Sequence, residues 1–196
     1  MSHRWWLGTL VLSLALSAGL GAQRSMARQI EDAVNPLPQG ERAGARVLGY
    51  RPGQSTLTVI REGTNHFVCL ADRPGDDRFQ VSCYHRALEP FMARGRALRA
   101  EGLNRHEVME RRNREIEEGR LPMVSAMLIS LFGRINPATG RPDSVNTLRV
   151  LYLPGATPEE TGLSTSGRGG IPWLMNPGTP RAHLMIPGER RRFPED

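Results

Sequence analysis

The chain has two cysteines, Cys69 and Cys83, and both stand in one short stretch, GTNHFVCLADRPGDDRFQVSCYH, from Gly63 to His85. Whatever joins them constrains every fold open to the chain. The segments HFVCL and FQVSCY are rich in β-branched and aromatic residues and a Pro-Gly turn separates them, so the stretch reads as a β-hairpin. Arg73-Pro74-Gly75-Asp76 suits a type II turn, because proline presets φ at the second position and glycine accepts a positive φ at the third. Two chemistries compete for the cysteines. His66, Cys69, Cys83 and His85 are zinc-ligand types at short spacing. Side chains alternate along a strand, however, so His66 and Cys69 face opposite sides and the four cannot converge on one ion. Cys69 instead shares a face with Phe67, and Cys83 with Phe79 and Val81. A Cys69–Cys83 disulfide closing this loop is worth about 3 kcal/mol through the entropy it removes from the unfolded chain. The spacing is not C-x-x-C, which leaves a thioredoxin-like role without support. The expectation is a disulfide-stapled hairpin, with no metal and no cofactor.

A disulfide needs an oxidising compartment, and the N-terminus supplies the route to one. Arg4 is followed by an uncharged run of Trp, Leu, Val and Ala that relaxes into the small residues Ser17, Ala18, Gly19, Gly21 and Ala22, with no further charge until Arg24. That is the layout of a secretory signal peptide, with cleavage expected after Ala22. An uncleaved N-terminal anchor is the alternative, since the run is long enough to span a bilayer. No later stretch is apolar for that length. The expected location is therefore secreted or periplasmic, without stable membrane insertion once the signal is cleaved. Composition agrees with a GC-rich bacterial origin: the chain contains no lysine, and all 26 of its basic side chains are arginine. The net charge of +6 is spread along the sequence and mixed with glutamate. Nucleic-acid binding needs the basic residues clustered and interleaved with aromatics, so a solvated mixed-charge surface is expected instead.

Pattern then divides the chain. Residues 23–44 combine a short helical possibility, MARQIEDAV, with the proline-broken NPLPQGERAG, and read as a polar linker. From Ala45 to Tyr84 the segments ARVLGY, STLTVIREG and the stapled hairpin read as a four-strand antiparallel meander. In ALEPFMARGRALRAEG, Leu88, Phe91, Met92 and Leu98 recur at helical spacing. NRHE then starts a second helix, with Asn104 and Glu107 forming a capping box. MVSAMLISLFG is apolar enough for a central strand covered on both sides, and VNTLRVLYLPGA is a further strand. Thr157, Pro158, Glu159 and Glu160 start a brief helix. A Gly/Pro-rich excursion from Gly162 follows, ending in the short strand HLMI, and residues 188–196 read as a frayed tail. The expected fold is α+β: a single domain over 45–187, an antiparallel sheet with its helices packed on one face.

Gly63-Thr64-Asn65 before Cys69-Leu70, the second cysteine in the next strand, ATPEETGLS and PWLMNPGTPRAHLMIP together resemble a set of uncharacterised exported bacterial proteins. The resemblance covers Thr56 to Pro187. It implies export and a single domain, and it carries no activity.

Candidate site residues rest on chemistry alone. No G-x-S-x-G surrounds any serine, and HEVME at His106 lacks the second histidine of a zinc protease helix. A Gly/Pro-rich segment of this length is expected either to bind something or to lack fixed structure. Trp173, Met175 and Met185 argue for burial against the sheet, placing His183 at a pocket rim, with Trp173 and Arg168 beside it and Ser164–Gly170 as a mobile loop. Two functions follow. One is a non-enzymatic module binding a small molecule or another envelope protein through His183, Trp173 and Arg168. The other is a hydrolase using His183 with His66 or His85.

Overall fold

Cys69 and Cys83 face each other across an antiparallel pair of strands and are joined by a disulfide, with their Cα atoms 4.1 Å apart. That separation belongs to the narrow, non-hydrogen-bonded type of pair. The computed structural model describes residues 25–194 of the chain. The expected cleavage site and the whole candidate signal lie outside the described residues. Around the disulfide the helices run in the order α1 (Met26–Ala33), α2 (Gln39–Arg42), α3 (Glu89–Ala100), α4 (Arg105–Glu117) and α5 (Pro158–Thr161). The strands are β1 (Arg46–Gly49), β2 (Thr58–Arg61), β3 (Phe67–Leu70), β4 (Arg78–His85), β5 (Met127–Arg134), β6 (Ser144–Tyr152), β7 (Trp173–Met175) and β8 (His183–Arg192). They form one eight-stranded sheet in the order β2-β1-β3-β4-β5-β6-β8-β7.

The α+β class holds, but the sheet is mixed rather than antiparallel: β1 and β3 run parallel. The expected four-strand meander is broken here because the chain leaves β2, crosses the start of β1 and enters β3 on its far side. Gly63-Thr64-Asn65 makes that crossing. A Cβ on Gly63 would lie 2.3 Å from the Arg46 amide nitrogen. The amides of Thr64 and Asn65 both donate to the Gly44 carbonyl, at 2.8 and 3.0 Å. The Asn65 side chain donates to the Glu41 carbonyl at 2.8 Å and accepts from the Phe67 amide at 3.0 Å. The motif is thus a backbone clamp, and nothing in its bonding asks for a ligand.

Helices cover both faces of the sheet, not one. On one face α1 packs Ala33, Val34 and Leu37 against Val47, Cys69 and Cys83. On the other, Leu88 and Met92 at the start of α3 pack with Leu48, Val68, Tyr84 and Tyr152. Val47 and Leu48 are consecutive, so alternation alone sends them to opposite layers. The reading of residues 23–44 as a linker is corrected accordingly. Ile30, Ala33, Val34 and Leu37 follow the i, i+3, i+4, i+7 spacing of an apolar helix stripe, although the last of them lies past the end of α1. Ala33 and Leu37 are almost fully buried. The prolines at 36 and 38 end the helix without taking the segment out of the core. Gln29 seals the join, donating to the Tyr50 carbonyl at 2.9 Å and accepting from its amide at 2.8 Å.

Two strand readings also change. β5 is central in strand order, yet Met127 and Phe132 are 44% and 41% exposed, so it is not covered on both sides. β8 runs on to Arg192, past the expected boundary at 187, and Phe193 packs its ring 4.7 Å from that of Phe79. The expected Asn104–Glu107 capping box forms, and Thr157, the expected cap of the brief helix, forms a second box with Glu160. Among the described residues no helix is long and apolar enough to cross a membrane.

Candidate functional site

His183 opens β8, opposite Tyr152 on β6 and Met175 on β7. Paired residues point to the same side of a sheet, so His183, Tyr152, Met175 and, two residues earlier on β7, Trp173 share one face. It is the face carrying α3 and α4. The site lies in the seam between α4 and the β7–β8 edge.

His183 itself is buried, and its Nδ1 lies 2.6 Å from the Arg181 carbonyl. A carbonyl only accepts, so Nδ1 carries the ring proton and Nε2 keeps its lone pair. Burial holds the imidazole pKa below its ordinary value; the backbone hydrogen bond opposes this, and the neighbouring Arg181 charge adds to it. His183 is therefore a neutral ring with one acceptor nitrogen. Its ring packs against Tyr152 at 5.2 Å, and Tyr152 meets Phe91 of α3 edge-on at 5.8 Å.

The strongest charge in the seam comes from residues that the sequence did not single out. Val108, Arg112 and Glu115 form the buried face of α4. Glu115 is taken by Arg94 of α3, whose guanidinium nitrogens reach it at 2.7 and 2.8 Å. Arg112 has no such partner. Its Nη1 donates to the Phe91 carbonyl at 3.2 Å, its guanidinium carbon lies 3.9 Å above the Phe91 ring centre, and its buried Nε meets no acceptor. Arg181 comes to the same place from the start of β8 and donates through Nε to the Asn113 side-chain oxygen at 2.5 Å. Each of these two arginines is 8% exposed, and no carboxylate pairs with either among the described residues. Burial pushes the Arg112 pKa down to about 10, and the charges of Arg99 and Arg181 push the same way. Burial also lowers Arg181. Tyr152 feels both guanidiniums, which offset part of the rise that burial causes in its phenol pKa.

Taking an ion out of water costs several kcal/mol even after the protein relaxes, and an unpaired neighbouring like charge adds to that cost. A bidentate anion would satisfy both forks at once. On the same face of β7, Trp173 is half-buried and Met175, which pairs with His183, is 37% exposed, an apolar edge beside the imidazole.

Of the expected site residues, the structure brings His183 and Trp173 onto one face and leaves Arg168 outside. Arg168 is exposed on the short turn Arg168–Gly170, without a hydrogen bond or ion pair among the described residues. The loop before it is partly tied down, since the Leu174 amide donates to the Ser164 carbonyl at 2.8 Å and Gly167 rests against the Trp173 ring. His66 and His85 lie together with their rings 5.6 Å apart. His85 belongs to β4, with β5 and β6 between it and β8. At about 4.8 Å per strand that puts it on the order of 14 Å from His183, and the register directs it to the opposite face. Among the described residues no group of three or more His, Cys, Asp or Glu side chains is placed to hold a metal ion.

Arg181 was findable: it stands two residues before His183 in RAH, in the turn that leads into β8. Arg112 gave a fainter signal, an arginine four residues after Val108 on the inward stripe of a helix. No family model, curated protein or solved structure matches the chain.

Proposed function

We propose that this protein is an exported, non-enzymatic binding module that holds a small amphipathic anion, a carboxylate or phosphate attached to an apolar group. The observation that carries this reading is the pair of nine-tenths buried arginines, Arg112 and Arg181, which converge beside Tyr152 with no carboxylate among the described residues to neutralise them. Their forks take the anionic group, with the Tyr152 hydroxyl beside it as a further donor. Met175, opposite His183, and Trp173 on the same face of β7 cover the apolar part. The disulfide fits an oxidising compartment, and the N-terminal sequence pattern and the resemblance to exported bacterial proteins point the same way. The hydrolase reading required His183 to meet His66 or His85, and their separation leaves it without a shared site.

The test is a thermal-shift series on the oxidised protein with acetate, phosphate, hexanoate and octanoate at constant ionic strength. Saturable stabilisation that grows with chain length, and that disappears in Arg112→Met, supports the reading. A shift that is equal for all salts, or that survives in Arg112→Met, overturns it.

A further inference from the structure

A second polar site opens on the opposite face of the sheet. There a cleft of about 650 Å³ separates the segment between α1 and α2 from the adjoining stretches of β6 and β8. Asn35 and Arg42 line one wall, Thr147 and Arg149 the floor, and Glu189 and Arg191 the other wall.

The cleft originates in a β-bulge. Asn146 pairs with Arg190 and Leu148 with Pro187, so Thr147 is opposed by two residues, Gly188 and Glu189. An extra residue re-aims every side chain that follows it. Arg191, rather than Arg190, consequently turns toward the α1 layer and donates to the Asn35 carbonyl at 3.0 Å. Arg190 turns to the other side and donates to the Ser144 hydroxyl at 2.7 Å. A Cβ on Gly188 would come within 3.0 Å of the Thr147 side chain and 3.2 Å of Nη1 of Arg149, so glycine there leaves room for the guanidinium to lie across the strand.

Three features of the cleft point to an occupant. Arg42 and Arg149 line the cleft with a single carboxylate, Glu189, among the described residues. Arg42 is held in place by its hydrogen bond to the Leu37 carbonyl at 2.9 Å, whereas Arg149 has no hydrogen bond or ion pair among the described residues. Asn35 is 4% exposed; its amide nitrogen donates to the Glu31 carbonyl at 2.9 Å, while its side-chain oxygen is buried with no donor to satisfy it. A buried acceptor without a donor costs about 1–3 kcal/mol, so among the described residues the cleft lacks a donor for Asn35.

We infer that this cleft binds an anionic saccharide, a sugar ring that carries a carboxylate or phosphate beside free hydroxyls. Arginine forks match the anionic group. The Asn35 oxygen and the Glu189 carboxylate accept hydrogen bonds from ring hydroxyls, a role that a simple inorganic anion leaves unfilled. The volume lies within the range of about 300–1,000 Å³ of small-ligand sites. Free sugar acids and charged polysaccharides share this chemistry. The site is independent of the arginine pair under α4.

The test is isothermal titration of the full chain, disulfide intact, with glucuronate, glucose 6-phosphate, polygalacturonate and glucose. At least one anionic saccharide is expected to bind while glucose does not, and Arg149→Ala, at an exposed position, should weaken that binding about tenfold or more without changing the melting temperature. Arg112→Met should leave it unchanged. Binding of polygalacturonate alone assigns a polysaccharide source; binding of the monosaccharides assigns a free one. Failure of all three anions to bind, equal binding of glucose, or unaltered binding by Arg149→Ala overturns the inference.

Discussion

Arg112 is an expensive residue to place where it lies, and its neighbours show that the expense is not repaid by pairing. It stacks on Phe91 and shares the seam with Arg181. Gly95 of α3 makes room for it, since a Cβ there would come within 2.8 Å of Nη1. Replacing an unpaired buried charge by an apolar side chain of similar length is often neutral or stabilising. Arg112→Met should accordingly keep the oxidised protein within about 1 kcal/mol of wild type or raise its stability in chemical denaturation. Gly95→Ala, by contrast, should destabilise by about 1–3 kcal/mol, because the added methyl overpacks the guanidinium. His183 makes a prediction of opposite origin. Its folded pKa lies below the ordinary 6.5, so the unfolded chain binds its proton first as pH falls. Its contribution is complete above about pH 6.5 and declines as the pH drops toward the folded value. His183→Asn, which retains an N–H near the Nδ1 position, should flatten that part of the stability–pH curve, measured by urea unfolding between pH 7 and pH 5.

Among the elements, the stapled hairpin, α3, α4, the Asn104–Glu107 capping box and the Thr157 cap were legible because each is specified by residues within a few positions of one another. The parallel β1–β3 pair was not, because it depends on where the chain crosses after β2, and the clamp at Gly63-Thr64-Asn65 bonds to Gly44 and Glu41, some 20 positions upstream. α1 was misjudged for a related reason. Its stripe of Ile30, Ala33, Val34 and Leu37 is visible, but the prolines beside it also read as a linker, and only the β1–β3–β4 face it covers decides between them. Leu37→Ala should therefore cost about 2–5 kcal/mol, as in a core, whereas a linker residue would cost almost nothing; equilibrium denaturation distinguishes the two. Reducing Cys69–Cys83 should cost about 3 kcal/mol, read as the difference in unfolding free energy with and without reductant. The site was half legible. His183 and Trp173 carry local signals, while Arg112 becomes significant only when α4 is laid over the β7–β8 edge.

At the scale of the molecule, one mixed sheet separates two helix layers, and each layer borders a cationic site. Under α4 lies a buried arginine pair, with an apolar edge beside His183. Beside α1 lies an open cleft with an unsatisfied acceptor. The stability of the bare protein and the affinity for a ligand are set against each other at the first of these, because the charges that would hold an anion are costly without one. A ligand that binds only the folded state stabilises it by an amount that grows with its concentration. The most direct measurement is the melting temperature of wild type and Arg112→Met, both oxidised, across an octanoate titration at fixed ionic strength. A saturable rise is expected for wild type, and a flat line for Arg112→Met from an equal or higher starting point. Parallel curves for the two proteins, or an Arg112→Met protein that starts several degrees lower and still responds, would contradict it.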